Sequence, residues 1–141
     1  MTMNIQQVVE WYSSLSPDTL SQISTIYHEG AHFKDPFNDV RGHKAIKAIF
    51  SHMFATTIDP RFSITRTEQC QDSLWICWDF SFSLKSKQVS FEGSSRITYG
   101  EDGRIITHID YWDGSELMAQ LPTIGPAVSW VRNKLASKQE K

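Results

Sequence analysis

Two aspartates and two hydrogen-bond donors are the residues whose types suit proton transfer at carbon. A carboxylate held in apolar surroundings can take a proton from carbon beside a carbonyl, provided a donor stabilises the enolate that forms. Asp35 and Asp110 are the candidate bases, and Tyr12 and His108 the candidate donors. Each has a plainer role open to it. Asp35 precedes Pro36, and Asp-Pro starts turns in any protein. Asp110 suits a strand carboxylate paired with His108, Arg96 or Arg104, Tyr12 a core tyrosine with a satisfied hydroxyl, and His108 one half of a structural pair. At a period of two, His108, Asp110 and Trp112 share one face of a strand.

His28-Glu29-Gly30-Ala31-His32 matches the H-E-x-x-H pattern of zinc metalloproteases. Zinc needs both histidines on one face of a continuing helix and a third ligand downstream. Gly30 falls inside the motif and the chain turns extended by Phe33, so no metal site is expected. His43 and His52 read as surface residues. The glycines form neither G-x-G-x-x-G nor a phosphate-binding loop, and no G-x-S-x-G elbow occurs, so no cofactor is implied.

The elements that must position these groups follow from periodicity. Ile5, Val8, Val9, Tyr12 and Leu15 recur at three and four, which predicts an amphipathic helix. Ser16 caps and Pro17 starts a second helix through Leu20, Ile23, Ile26 and Tyr27, ended by Gly30. Ala45, Ile46, Ile49, Phe50, Met53 and Phe54 mark a third. The period then changes to two. Phe62 to Thr65 alternates, Trp78, Phe80, Phe82 and Leu84 face away from Asp79, Ser81 and Ser83, and Val89, Phe91, Ile97 and Tyr99 continue on a third strand. Gly100 to Gly103 turns the chain into a return strand, Arg104 to Trp112. Ser115 to Leu121 and Pro126 to Ala136 read as closing helices, before a frayed tail at 138–141. This order predicts an α+β fold, with helices on one face of a curled antiparallel sheet and an interior to fill.

The 141 residues make one domain, read as 1–137. At 40% apolar, with five tryptophans, four tyrosines and eight phenylalanines, the chain can bury roughly 70% of its unfolded surface. The net charge of −2 has no basic cluster, which argues against nucleic acid as a partner. No stretch is long and apolar enough to span a membrane, and Met1 to Trp11 does not read as a signal peptide. A cytoplasmic location is the expectation, with Cys70 and Cys77 reduced.

Three segments, in their order and spacing, carry a family resemblance: Val8-Val9-Glu10-Trp11-Tyr12, His32 to Phe37 leading to Val40-Arg41-Gly42, and Gly103 to Asp113. The chain resembles the nuclear transport factor 2-like superfamily in its SnoaL-like and ketosteroid isomerase-like branch. Its ending, Asp110 to Asp113 followed by Leu121 to Gly125, is similar to a bacterial SnoaL-like group. The resemblance implies a cone-shaped curved sheet that encloses a pocket with its N-terminal helices, and a homodimer through the convex face. It sets Asp35 where the isomerase has its proton-shuttling aspartate and Tyr12 where it has its oxyanion-stabilising tyrosine. Ser95 aligns with the second oxyanion donor, an aspartic acid in the isomerase, so steroid isomerisation itself is not implied. Asp110 falls near the acid/base aspartate of SnoaL-type cyclases.

The walls of the implied pocket are Trp112, Trp78, Phe80, Phe82 and Phe91, with Ser95, Phe50 and Phe54. Three functions follow as alternatives. The first is a cofactor-free isomerase, cyclase or dehydratase acting on a small apolar carbonyl compound. The second is a binding or sensing module without chemistry. The third is an interaction scaffold using Trp75, Ile109 and Tyr111 on the convex face.

Overall fold

Apolar side chains three and four apart make one face of α1 (Ile5–Ser13), and Val8, Trp11 and Tyr12 are buried on it. The structure, a computed structural model, describes residues 5–85 and 87–137, so the tail at 138–141 lies outside the described residues. Ser16 and Thr19 cap each other and Pro17 takes the first position, as their types require. What they start is a 3₁₀ segment, Pro17–Gln22, that runs into the single turn α2 (Ile23–Ile26).

Here the structure departs from the periodicity. The second helix does not reach Gly30, because Tyr27 opens strand β1 (Tyr27–Lys34). Tyr27, Ala31 and Phe33 are the buried positions, a period of two that the helical reading of Tyr27 concealed. The His28 to His32 motif therefore lies along a strand, where residues four apart are separated by about 13 Å, too far to share one ion. His43, expected on the surface, is half-buried, with Nε2 2.6 Å from the Tyr27 carbonyl oxygen.

Strand β2 (Asp39–Arg41) leads through Gly42 to α3 (His43–Thr56), which buries Ile46 and Phe50. Gly42 has φ +90°, a backbone conformation that side chains resist. Four long strands follow: β3 (Ile58–Cys70), β4 (Ser73–Leu84), β5 (Lys87–Tyr99) and β6 (Ile105–Trp112). Helices α4 (Gly114–Ala119) and α5 (Gly125–Leu135) finish the chain, α4 capped by the Asp113 carboxylate.

The six strands are ordered β2-β1-β6-β5-β4-β3. The expected antiparallel pairing holds throughout except between β1 and β6, which run parallel. Register shifts after Ile58 and Ile64 bulge the β3–β4 pair, and such bulges bend a sheet. The sheet is curved and unclosed, with β2 and β3 as its edges, and helices α1 and α3 pack against it.

Candidate active site

Inward-facing side chains cross the sheet in rows set by the strand register. Leu74, Ile97 and His108 make one row, Ile76, Ser95 and Asp110 the next, and Trp78, Gly93 and Trp112 the third. Phe80 and Phe91 follow beyond them. The row holding Asp110 is thus the boundary between an aliphatic core and an aromatic wall.

One hydrogen-bonded chain runs along that boundary, and the chemistry of its members fixes its direction. An indole N–H only donates, so Trp78 donates to Ser95 Oγ at 2.9 Å. Ser95 in turn donates to Asp110 Oδ1 at 2.5 Å. His108 Nε2 lies 2.6 Å from the same oxygen and donates to it, and in the neutral imidazole Nδ1 is then an acceptor. The hydroxyls of Tyr12 and Tyr27 each lie 2.7 Å from Nδ1 and contact one another. One phenol therefore donates to the imidazole and the other to its neighbour. In that arrangement the protons of the chain point toward Asp110, whose Oδ1 accepts two donors.

The phenols are sealed in. Burial pushes Tyr12 well above the ordinary 10.0, reinforced by Tyr27 and by the Asp110 charge. Burial does the same for Tyr27; its bond with Tyr12 opposes the shift and Asp110 adds to it. Both stay protonated. His108 is 2% exposed, with Phe33 packed 4.6 Å from its ring centre.

Asp110 differs from its partners, because only Oδ1 is engaged. Among the described residues Oδ2 takes no hydrogen bond, yet no buried side-chain polar atom is left unpaired, so Oδ2 is open. Asp110 lines a cavity of about 540 Å³ between α3 and the aromatic wall, within the range of small-molecule sites. It also lines a recess of about 20 Å³, room for one water, together with Tyr12, Ser95 and His108.

The sequence-derived candidates divide between these spaces. Trp78, Phe80, Phe82, Phe91 and Trp112 line the large cavity, as do Phe50 from α3 and both aspartates. Tyr12, Ser95 and His108 line the recess and not the large cavity. Phe54 packs against the core outside both spaces. Asp35 reaches the cavity with its oxygens occupied. Oδ1 accepts the backbone N–H groups of Phe37 and Asn38 at 2.8 and 2.7 Å, and the Asn38 amide donates to both oxygens. Neither arginine considered as a partner touches Asp110: Arg104 bonds Asp102 and the Ser24 carbonyl, and Arg96 the Tyr111 hydroxyl.

Tyr27, Phe62 and Gly93 are among the parts of this site that the sequence did not reveal. Tyr27 was hidden by its helical assignment, although a second buried tyrosine was available. Phe62 supplies the β3 part of the wall, its ring 5.4 Å from Trp78. Gly93 carries no side chain to signal its role. A Cβ there would lie 2.5 Å from the Trp78 ring and 3.0 Å from Trp112, so only glycine seats Trp78 in place.

Comparison with known proteins agrees with this architecture. The chain superimposes on a ketosteroid isomerase-like fold protein from Catenulispora acidiphila in complex with trimethylamine, with TM-score 0.70, 16% identity, and coverage of 85% of this chain and 93% of that one. An NTF2-like protein of unknown function from Burkholderia pseudomallei gives TM-score 0.76 at 14% identity, covering 87% of this chain and 100% of that one. An LEH-like epoxide hydrolase from M. tuberculosis gives 0.69 at 16% identity, covering 95% and 94%. These likenesses establish the fold. No functionally curated protein matches the sequence. The SnoaL-like domain matches residues 8–108, most of the chain, and spans α1, the cavity helix α3 and the strands up to His108. With a helix-covered, unclosed sheet on one side and that match on the other, the chain belongs to the SnoaL-like family.

Proposed function

We propose that the protein transfers a proton on a small, largely apolar carbonyl compound, with Asp110 as the base, in an isomerase, cyclase or dehydratase reaction. The observation that carries this reading is the division of labour within one carboxylate. Oδ1 is held by Ser95 and His108, Oδ2 takes no hydrogen bond among the described residues, and the residue lines an apolar cavity. A carboxyl group fixed in this way loses no freedom when it reacts. His108, Tyr12 and Tyr27 are positioning residues, since they contact Asp110 or one another and not the cavity. Asp35 serves the turn that forms part of the cavity wall.

Two relatives by fold support a cavity for small molecules: one is a complex with trimethylamine, the other an LEH-like epoxide hydrolase. The test is deuterium uptake at carbon beside the carbonyl, across a panel of apolar ketones in heavy water. Wild-type protein accelerates exchange for the accepted ketone, and Asp110→Asn slows it by about 10²-fold or more. Exchange that survives Asp110→Asn removes Asp110 from the reaction.

Retention of a ligand without chemistry is the second reading. It is favoured by one feature: among the described residues lining the cavity, none is a lysine or arginine that would hold an oxyanion. Recovery of unaltered ligand from a tight complex would support it.

A homodimer through the convex face belongs to the same proposal. Trp75 and Tyr111 stack there with ring centres 5.9 Å apart, and Tyr111 is 48% exposed. Cys70 and Cys77 are free, which suits the reducing cytoplasm.

A further inference from the structure

The wall and the charge of the cavity together narrow the ligand. The rings of Trp112, Phe91, Trp78, Phe62 and Phe80 form a connected surface: successive centroids are 4.5, 6.1, 5.4 and 4.4 Å apart. Phe82 extends it, 5.5 Å beyond Phe80. The acidic side chains on this cavity are Asp35 and Asp110, and no lysine or arginine lines it among the described residues. His52 is the remaining titratable lining residue, exposed on α3.

Three classes of ligand can be weighed against that arrangement. An anion would meet two carboxyl groups and no lysine or arginine among the described lining residues. A neutral hydrocarbon would fill the space but offer the carboxyl group of Asp110 no partner in place of water, at a cost of the desolvation kind. An organic cation suits both features. Its charge rests against ring faces, which attract ammonium groups when water is excluded, and its N–H or polarised C–H groups meet Oδ2.

We infer that the cavity's ligand is an organic cation, a tertiary or quaternary amine carrying apolar substituents. This rests on Asp110 acting at this cavity, and it deepens the proposed proton transfer. A positive nitrogen near the carbonyl brings the countercharge that an enolate lacks in a cavity without lysine or arginine.

The experiment compares benzyltrimethylammonium with neopentylbenzene, its uncharged carbon isostere, by titration calorimetry on the full chain. The cation binds at least about tenfold more tightly than the isostere, the size expected of ring and carboxylate contacts out of water. Asp110→Asn removes most of that preference. Trp112→Leu, which keeps an apolar wall, also weakens the cation more than the isostere. Equal affinities, tighter binding of the isostere, or no binding of the cation overturns the assignment. Such a result leaves ketone exchange untouched as a separate readout, so failure here and failure of Asp110 as base are distinguishable.

Discussion

Trp78 lies over Gly93 on the neighbouring strand, so close that a methyl group at 93 would stand 2.5 Å from its ring. The contact matters because Trp78 does two jobs. Its ring forms part of the cavity wall, and its N–H begins the hydrogen-bonded chain that ends on Asp110. Gly93→Ala is expected to push the indole aside, cost about 1–3 kcal/mol as overpacking does, and weaken ligand binding together with stability. Urea unfolding of the variant should show a lower midpoint at unchanged slope. An unchanged midpoint would mean that Trp78 shifts freely.

The two phenols share one acceptor, His108 Nδ1, and either can satisfy it alone. Tyr12→Phe and Tyr27→Phe are each expected to cost about 0.5–1.5 kcal/mol, the net worth of an ordinary hydrogen bond. The double variant leaves Nδ1 buried without a donor, so its loss should exceed the sum of the two by about 1 kcal/mol or more. A double-mutant cycle in urea measures this, and additivity would show that the phenols bond elsewhere.

Alkaline pH should expose the same pair. Both phenols are raised by burial above the 10.0 of the unfolded chain. From about pH 10 the unfolded state releases protons that the native state retains. The stability from this pair is therefore complete below pH 10 and falls as pH rises toward the folded values, by up to about 1.4 kcal/mol per pH unit for each phenol. The double phenylalanine variant should show a flatter decline, followed by circular dichroism.

Asp35 separates turn service from catalysis. Asp35→Ala removes the acceptor for two backbone amides and should cost about 1–2 kcal/mol. Asp35→Asn keeps an acceptor oxygen and should cost less, with ketone exchange retained. Loss of exchange in Asp35→Asn at full stability would make Asp35 a participant.

Most of the fold was legible because each long element repeats its pattern. β4 alternates from Leu74 to Phe82, and α3 carries Ile46 and Phe50 on one face. Tyr27 was not, since Leu20, Ile23, Ile26 and Tyr27 also fit helical spacing; the pairing of β1 with β6, a contact far off in sequence, decides for a strand. Within the site, residue types named Asp110 and His108, and a period of two set them on one face. Their division from Asp35 was not readable. It depends on which carboxylate oxygens find donors, and those donors come from Ser95 on the next strand and Asn38 in a turn. Nor could Gly93 be found, because its role is the space it leaves for Trp78.

The most direct test of Asp110 as the acting group is a crystal structure with an accepted ligand bound. The expected result is a ligand atom within about 3 Å of Asp110 Oδ2, with Ser95 and His108 still on Oδ1. A ligand that contacts Asp35 instead, or an Oδ2 turned into the recess, would contradict it.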